Sequence, residues 1–131
     1  MVNSVRHSDP LRVLLVEDSL VNQKLLIAML DLRNCVVTVA VNGQEALNRM
    51  AEDEFDVVLM DVEMPVMDGL TATRLIRDQE AGTTRHIPIL AVTAGIDRQT
   101  CLEAGMDEHL EKPPRQDSLN LKLDQLLTGG A

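Results

Sequence analysis

Six residues able to do chemistry stand at or just beyond the ends of apolar runs. Glu17 and Asp18 follow Val13-Leu14-Leu15-Val16, and Asp61 follows Val57-Val58-Leu59-Met60 with Glu63 close behind. Thr93 follows Ile89-Leu90-Ala91-Val92, and Lys112 lies just past a weaker run that ends at Leu110. Carboxylates gathered within a few ångströms repel one another unless a cation intervenes. A hard divalent cation settles that repulsion: Mg²⁺ is typically held by one or two carboxylates, waters and phosphate oxygens. Beside such an ion Asp61 is placed to attack phosphorus as a carboxylate nucleophile. The charge on the equatorial oxygens of a transferring phosphoryl group then needs fixed partners. The cation serves one, the Lys112 ammonium a second, and the Thr93 hydroxyl or the Ala94 backbone N–H a third. Ala94 is small enough to leave room beside it.

The elements that must carry these groups can be read from periodicity. Strands are expected over 12–16, 35–40, 56–60, 87–92 and 106–110, the last being the weakest. The runs at 13–16, 57–60 and 89–92 are apolar without alternation, as in parallel strands covered on both faces. Between the strands, Val21, Leu25, Ala28, Met29 and Leu32 fall at helical spacing and predict one buried face. Asn42 with Glu45 makes a capping-box start for the next helix. Helices over 69–80 and 97–104 follow, with Gly82 and Gly105 at their stops. Leu119, Leu123, Leu126 and Leu127 give the last helix its core stripe, and Leu121 points the other way. The pattern β-α repeated five times makes an α/β domain, a parallel sheet with helices on both faces. In such sheets ligands bind beyond the carboxyl ends of the strands, where the six residues stand.

Length and composition agree with one domain. The chain has 131 residues, 45% of them hydrophobic, with one Phe and neither Tyr nor Trp, so Leu, Val, Ile, Met and Ala must build the core. A formal net charge of -9 argues against a nucleic-acid partner and against an anionic membrane surface. No apolar run approaches the ~20 residues that span a bilayer, and the polar start lacks a secretory core. Cys35 and Cys101 lie in apolar segments and read as reduced thiols, which points to the cytoplasm. Residues 1–10 read as a tail or linker, 11–127 as the domain, and 128–131 as a frayed end.

Four segments together carry a family resemblance. VLLVEDS at 13–19, VVLMDVEMPVMDG at 57–69, PILAVTA at 88–94 and EKP at 111–113 resemble the receiver domains of two-component response regulators. The resemblance covers about residues 11–127, and the stretches at 19–23 and 105–110 are most similar to receivers of hybrid sensor histidine kinases. It implies a single doubly wound, flavodoxin-like domain with strand order 2-1-3-4-5. It implies Asp61 as phosphoacceptor, Asp18 as a direct Mg²⁺ ligand, Glu17 acting through water, and the Glu63 backbone carbonyl as a further ligand, with Mn²⁺ as a possible substitute ion. Thr93 matches the switch hydroxyl, Lys112 the phosphate-binding lysine, and Lys112-Pro113 a bond that is often cis in the family. The implied donor is a phosphohistidine on a sensor histidine kinase or a histidine phosphotransfer domain. The implied activity is self-catalysed phosphotransfer and autodephosphorylation, not turnover of a separate substrate. The implied output is a change of the face formed by helix 4, strand 5 and helix 5, where a weak homodimer can also form.

One position departs from the family. Many receivers carry Tyr or Phe three residues before the lysine, and here that residue is His109. A histidine there either keeps the gating role with added pH sensitivity, or leaves the aromatic part of the switch absent. Glu63 either orients water or repels the donor. Ordinary roles stand beside these: Asp18 as a helix cap, His109 as a half-buried strand residue, His7 and His86 as surface residues. Met60, Met64, Met67 and Met106 read as packing, because thioethers suit soft metals. Two competing classes remain, a haloacid-dehalogenase-type phosphohydrolase and an unphosphorylated binding module. Asp61 on the third strand, with no room for a cap domain, weighs against the first.

Overall fold

The structure, a computed structural model, describes residues 9–128. Of the expected tail over residues 1–10, residues 1–8, with His7, lie outside the described residues, as do 129–131 of the expected end over 128–131. Five strands alternate with five helices: β1 (Leu11–Val16), α1 (Leu20–Leu30), β2 (Cys35–Ala40), α2 (Gly43–Glu52), β3 (Val57–Met60), α3 (Gly69–Glu80), β4 (Ile89–Thr93), α4 (Arg98–Ala104), β5 (Glu108–Glu111) and α5 (Gln116–Thr128). All strand pairs are parallel, in the order β2-β1-β3-β4-β5. β2 has the expected limits, the other strands differ from theirs by one or two residues, and β4 includes Thr93.

The side-chain period of two divides the core into two layers. Leu14, Val16, Val58, Met60, Ile89 and Ala91 face α2, α3 and α4, meeting Ala46, Ala72, Ile76 and Cys101. Val13, Leu15, Val57, Leu59, Leu90 and Val92 face α1 and α5, meeting Leu26, Met29, Leu30, Leu119 and Leu123. The central strands are thus apolar on both sides, which is why their sequences do not alternate.

The buried face of α1 differs from the expected one. Leu26, Met29 and Leu30 are buried, whereas Val21 is 76% and Leu32 75% exposed, Leu25 and Ala28 are exposed, and only Met29 is common to both sets. The helix is apolar around most of its circumference, so periodicity cannot choose which stripe meets the sheet. It ends at Leu30, leaving Leu32 in the turn beyond. The cap of α1 is Ser19, whose Oγ accepts from Asn22 N–H at 3.3 Å, so Asp18 is not the capping residue.

The other helix ends follow the sequence. Asn42 accepts from Glu45 N–H at 2.9 Å, while Glu45 reaches back to accept from Val41 N–H at 3.0 Å. Gly105 closes α4 in the left-handed region at φ 110. Leu119 and Leu123 are buried, Leu126 is half-buried, Leu127 is more exposed, and Leu121 is 56% exposed on the opposite side. Cys35 and Cys101 are free thiols, and burial raises the pKa of each. Met60 and Met106 are buried, and Met64 and Met67 pack against the same layer.

Candidate functional site

Every strand except β2 delivers a candidate residue to the carboxyl edge of the sheet. β1 ends at Val16, so Glu17 and Asp18 leave it directly; β3 ends at Met60 and releases Asp61. Thr93 is the last residue of β4 and is buried, while Lys112 follows β5 and lies beside Thr93, its N–H donating to the Thr93 carbonyl at 3.1 Å. The Lys112-Pro113 peptide bond is cis. Parallel pairing brings Val16 level with Met60, and the Asp61 N–H donates to the Val16 carbonyl at 3.0 Å. The two acidic segments are therefore locked side by side.

One carboxylate oxygen each of Glu17, Asp18 and Asp61 lies within 4.8 Å of the others. Glu17 and Asp61 are buried and Asp18 is exposed, so the cluster opens to solvent on the Asp18 side. The set is all oxygen, which suits a hard divalent cation and not a soft one. Lys112 Nζ lies 2.6 Å from Glu17 Oε1 and 3.1 Å from Asp61 Oδ2. Asp61 Oδ1 accepts from Val62 N–H at 2.8 Å, and Glu17 Oε2 from Ser19 N–H at 3.1 Å. Burial pushes the Glu17 pKa above its ordinary value, with the Asp61 charge adding to the rise and Lys112 opposing it. Burial acts to lower the Lys112 pKa, but its bonds to Glu17 and Asp61 outweigh that and raise it. The rise at Lys112 keeps the ammonium charged among the acids.

Ala94 and Glu63 are exposed beside these groups, Ala94 right after Thr93 and Glu63 in the loop after β3. In that loop Val66 has φ 72, an unusual value for a β-branched residue, and Met67 N–H donates to the Pro65 carbonyl at 2.8 Å across it. Val66 is 83% exposed. Nothing about a valine at position 66 signals such a turn, so it was not legible in the sequence. Nor was it legible that Lys112 lies closer to Glu17 than to Asp61.

His109 is half-buried, as its place in β5 suggested, and its Nε2 lies 2.8 Å from the Ile96 carbonyl in the loop after Thr93. His86 is exposed on the opposite side of the domain and bonds Asp107 Oδ1 at 2.7 Å.

The model of the response regulator receiver domain matches residues 13–124. This chain belongs to the response regulator receiver family. It is 41% identical over 112 residues to hybrid signal transduction histidine kinase I of Dictyostelium discoideum, a match covering 79% of this chain and 6% of that protein. The receiver is thus a small part of the length of that curated relative. Among solved structures it is similar to the receiver domain of a Pseudomonas aeruginosa PAO1 sensor histidine kinase, which holds a magnesium ion in its active-site cleft. That pair has 40% identity and a TM-score of 0.82, covering 93% of this chain and 99% of the other. It is also similar, at 30% identity and TM-score 0.81, to the Saccharomyces cerevisiae Ssk1 receiver solved with the phosphotransfer protein Ypd1, covering 94% and 92% of the two chains. The fold is the flavodoxin-like one, and the domain is a phosphoacceptor signalling module of two-component systems, not an enzyme of the ordinary kind. Among the described residues no helix is long and apolar enough to cross a membrane.

A second cluster lies at the face formed by α4, β5 and α5. Glu108 Oε1 accepts from Arg98 Nε at 2.8 Å, and its Oε2 lies 3.2 Å from Lys122 Nζ, so one carboxylate ties all three elements. The Arg98 bond, with help from Lys122, holds the Glu108 pKa below the usual 4.5. A depressed carboxylate contributes stability above its unfolded pKa and loses it as pH falls through the folded one. Glu108→Gln should therefore cost stability near neutral pH. The gap to wild type should close on acidification to below the ordinary Glu range. Urea denaturation of both proteins across that range measures this; a gap that stays constant with pH would show that the carboxylate charge is not involved.

Proposed function

We propose that Asp61 is the phosphoacceptor and that a phosphohistidine on a sensor histidine kinase or phosphotransfer domain is the donor. The observation that carries this reading is the Lys112 ammonium shared between Glu17 and Asp61 where the carboxylates of Glu17, Asp18 and Asp61 meet. An Asp61 carboxylate oxygen forms the new bond to phosphorus as the P–N bond to imidazole breaks, and the imidazole leaves with the electron pair. Lys112 then turns from a carboxylate partner into a partner of the phosphoryl oxygens. Thr93 Oγ and the Ala94 N–H take the remaining oxygen on the β4 side. Mg²⁺, or Mn²⁺ in its place, would be held by Asp18, Asp61 and the Glu63 carbonyl, with Glu17 through water, and supplies neutralisation of the phosphoryl charge. The same groups support slow autodephosphorylation by water.

Exposed apolar residues surround the acceptor rim. Leu20 is 62% and Val21 76% exposed at the start of α1, and Val66 stands in the loop after Asp61. These supply the contact area a donor domain needs around an acceptor that is itself polar. Free thiols fit a cytoplasmic, reducing compartment.

Phosphorylation switches the domain through Thr93 and His109. Drawing Thr93 toward the phosphoryl group pulls on the loop to Ile96, whose carbonyl His109 holds, and so reaches the Glu108 cluster and Leu121. Magnesium titration followed by NMR, with and without beryllofluoride, tests this. Magnesium alone should shift amides at Asp18, Asp61 and Glu63; adding beryllofluoride should extend the shifts to Thr93, Ile96 and His109. No change with either ligand would leave a scaffold that is never phosphorylated.

A further inference from the structure

β2 is an edge strand, and among the described residues it pairs only with β1. Natural edges are usually blunted by charge, proline, bulges or shortness. The opposite edge, β5, follows that rule: it is Glu108-His109-Leu110-Glu111, only four residues long, with Glu108 bonded to Arg98 and Lys122. β2 does not. From Cys35 to Val41 the sequence is Cys-Val-Val-Thr-Val-Ala-Val, without charge, proline or glycine. All six strand residues keep regular register with β1, and Val36 is 52% exposed.

The backbone bonds show which groups face outward. The Asn34 carbonyl accepts from Leu11 N–H at 2.7 Å and the Ala40 carbonyl from Glu17 N–H at 2.9 Å, so both point toward β1. Backbone groups alternate sides along a strand in a parallel ladder, so Val36 and Thr38 also face β1. Cys35, Val37 and Val39 turn their N–H and C=O groups away from the sheet. The next outward donor, Val41 N–H, is bonded to Glu45 Oε1 and ends the open stretch. The open edge is therefore symmetric about Val37.

We propose that this edge pairs with the same edge of a second copy of the chain, antiparallel about a two-fold axis at Val37. Cys35 then lies opposite Val39 of the second copy, and Val37 opposite Val37, each pair exchanging both backbone bonds. Val36 covers Thr38 of the other copy on the α2 side. Both ends of the open stretch are closed within each copy, the Arg33 N–H by the Leu30 carbonyl at 2.9 Å and the Val41 N–H by Glu45, and the Arg33 guanidinium bonds Asp124 at 2.8 Å, so the two-fold match rests on the uncharged edge between them. The open stretch is thus self-complementary about Val37, and it is one stretch of this acidic molecule where two copies approach without like charges between them. The α4-β5-α5 face, by contrast, presents the charged side chains of Glu108, Arg98 and Lys122. A single strand pair is a small interface, so the dimer is weak and transient. Each copy carries a net charge of -9, so association tightens as salt screens the repulsion between the bodies.

The test uses the whole chain and two variants. Val37→Pro deletes an outward N–H and leaves the ladder to β1 intact, a substitution an edge strand tolerates. Val36→Lys places a charge on the exposed face and serves if the proline variant does not fold. Mass by sedimentation, and amide exchange by NMR, are followed from micromolar to millimolar protein at low and high salt. The expected result is a mass rising toward the dimer, with protection gained at Cys35, Val37 and Val39, and a dissociation constant raised at least about tenfold in either variant. A mass that stays monomeric throughout would overturn the proposal. So would a dimer that survives both substitutions with those three amides still exchanging freely. Phosphoacceptance at Asp61 plays no part in the readout, so failure here leaves that reading untouched.

Discussion

Asp61→Asn is expected to abolish acid-labile, Mg²⁺-dependent labelling of the domain by a small phosphodonor, a fall of at least about 100-fold, because the nucleophile itself is gone. The substitution keeps the shape of the side chain, and its amide oxygen still accepts from Val62 N–H, as Asp61 Oδ1 does at 2.8 Å. Its NH₂ group, however, has nothing to offer Lys112, which then pairs with Glu17 alone. A structural side effect would be visible separately. The Asp61 charge is one cause of the raised Glu17 pKa, so in the variant the Glu17 carboxyl should titrate lower than in wild type, as followed by carbon NMR. Labelling that persists at the wild-type level would remove Asp61 from the mechanism, whatever the titration showed.

Gly69→Ala should destabilise the domain by about 3 kcal/mol or more, at or beyond the upper end of ordinary overpacking. Gly69 is the first residue of α3, and helix propensity alone favours Ala there by up to about 1 kcal/mol. The tertiary contact reverses the sign. A Cβ on Gly69 would run into the backbone carbonyl oxygen of Asp61 and sit 2.9 Å from Met60 Cγ, while the Gly69 N–H already donates to the Val62 carbonyl at 2.8 Å. Neither the strand nor the helix start can move without moving the acceptor. Urea denaturation gives the stability, and labelling of the folded fraction gives the effect on Asp61. A variant as stable as wild type would show that the β3–α3 junction is looser than its contacts indicate.

These two expectations differ in what they needed. Asp61 was legible from residue type and place: an acid at the end of a fully apolar strand, in company with Glu17, Asp18, Thr93 and Lys112 at other strand ends. The strands themselves were legible because burial on both faces leaves no alternation, only short continuous runs of Val, Leu, Ile and Met. The helix start at Asn42 was a local matter of a side chain accepting from an N–H three residues on. The clash at Gly69 was not legible, because it depends on how closely α3 passes the carbonyl of a residue in another element.

The face of α1 marks the same boundary. Its sequence offers two apolar stripes of similar quality, and only contact with the sheet decides that Leu26 and Leu30 go in while Val21 and Leu25 stay out. Lys112 is a second case: its type and its place after β5 suggested an anion partner, but that it bonds both Glu17 and Asp61 follows from strand register. The open edge at β2 is a third, since an uncharged Val-rich strand reads the same whether central or at the margin. Taken alone, the chain's residues determined the order and kind of its elements, the cap at Asn42, and the identity of the groups on the rim, because each depends on near neighbours or on burial pattern. The folded arrangement alone decided which stripe, which partner and which edge, because those are contacts between segments far apart in the chain, and no local preference distinguishes the alternatives.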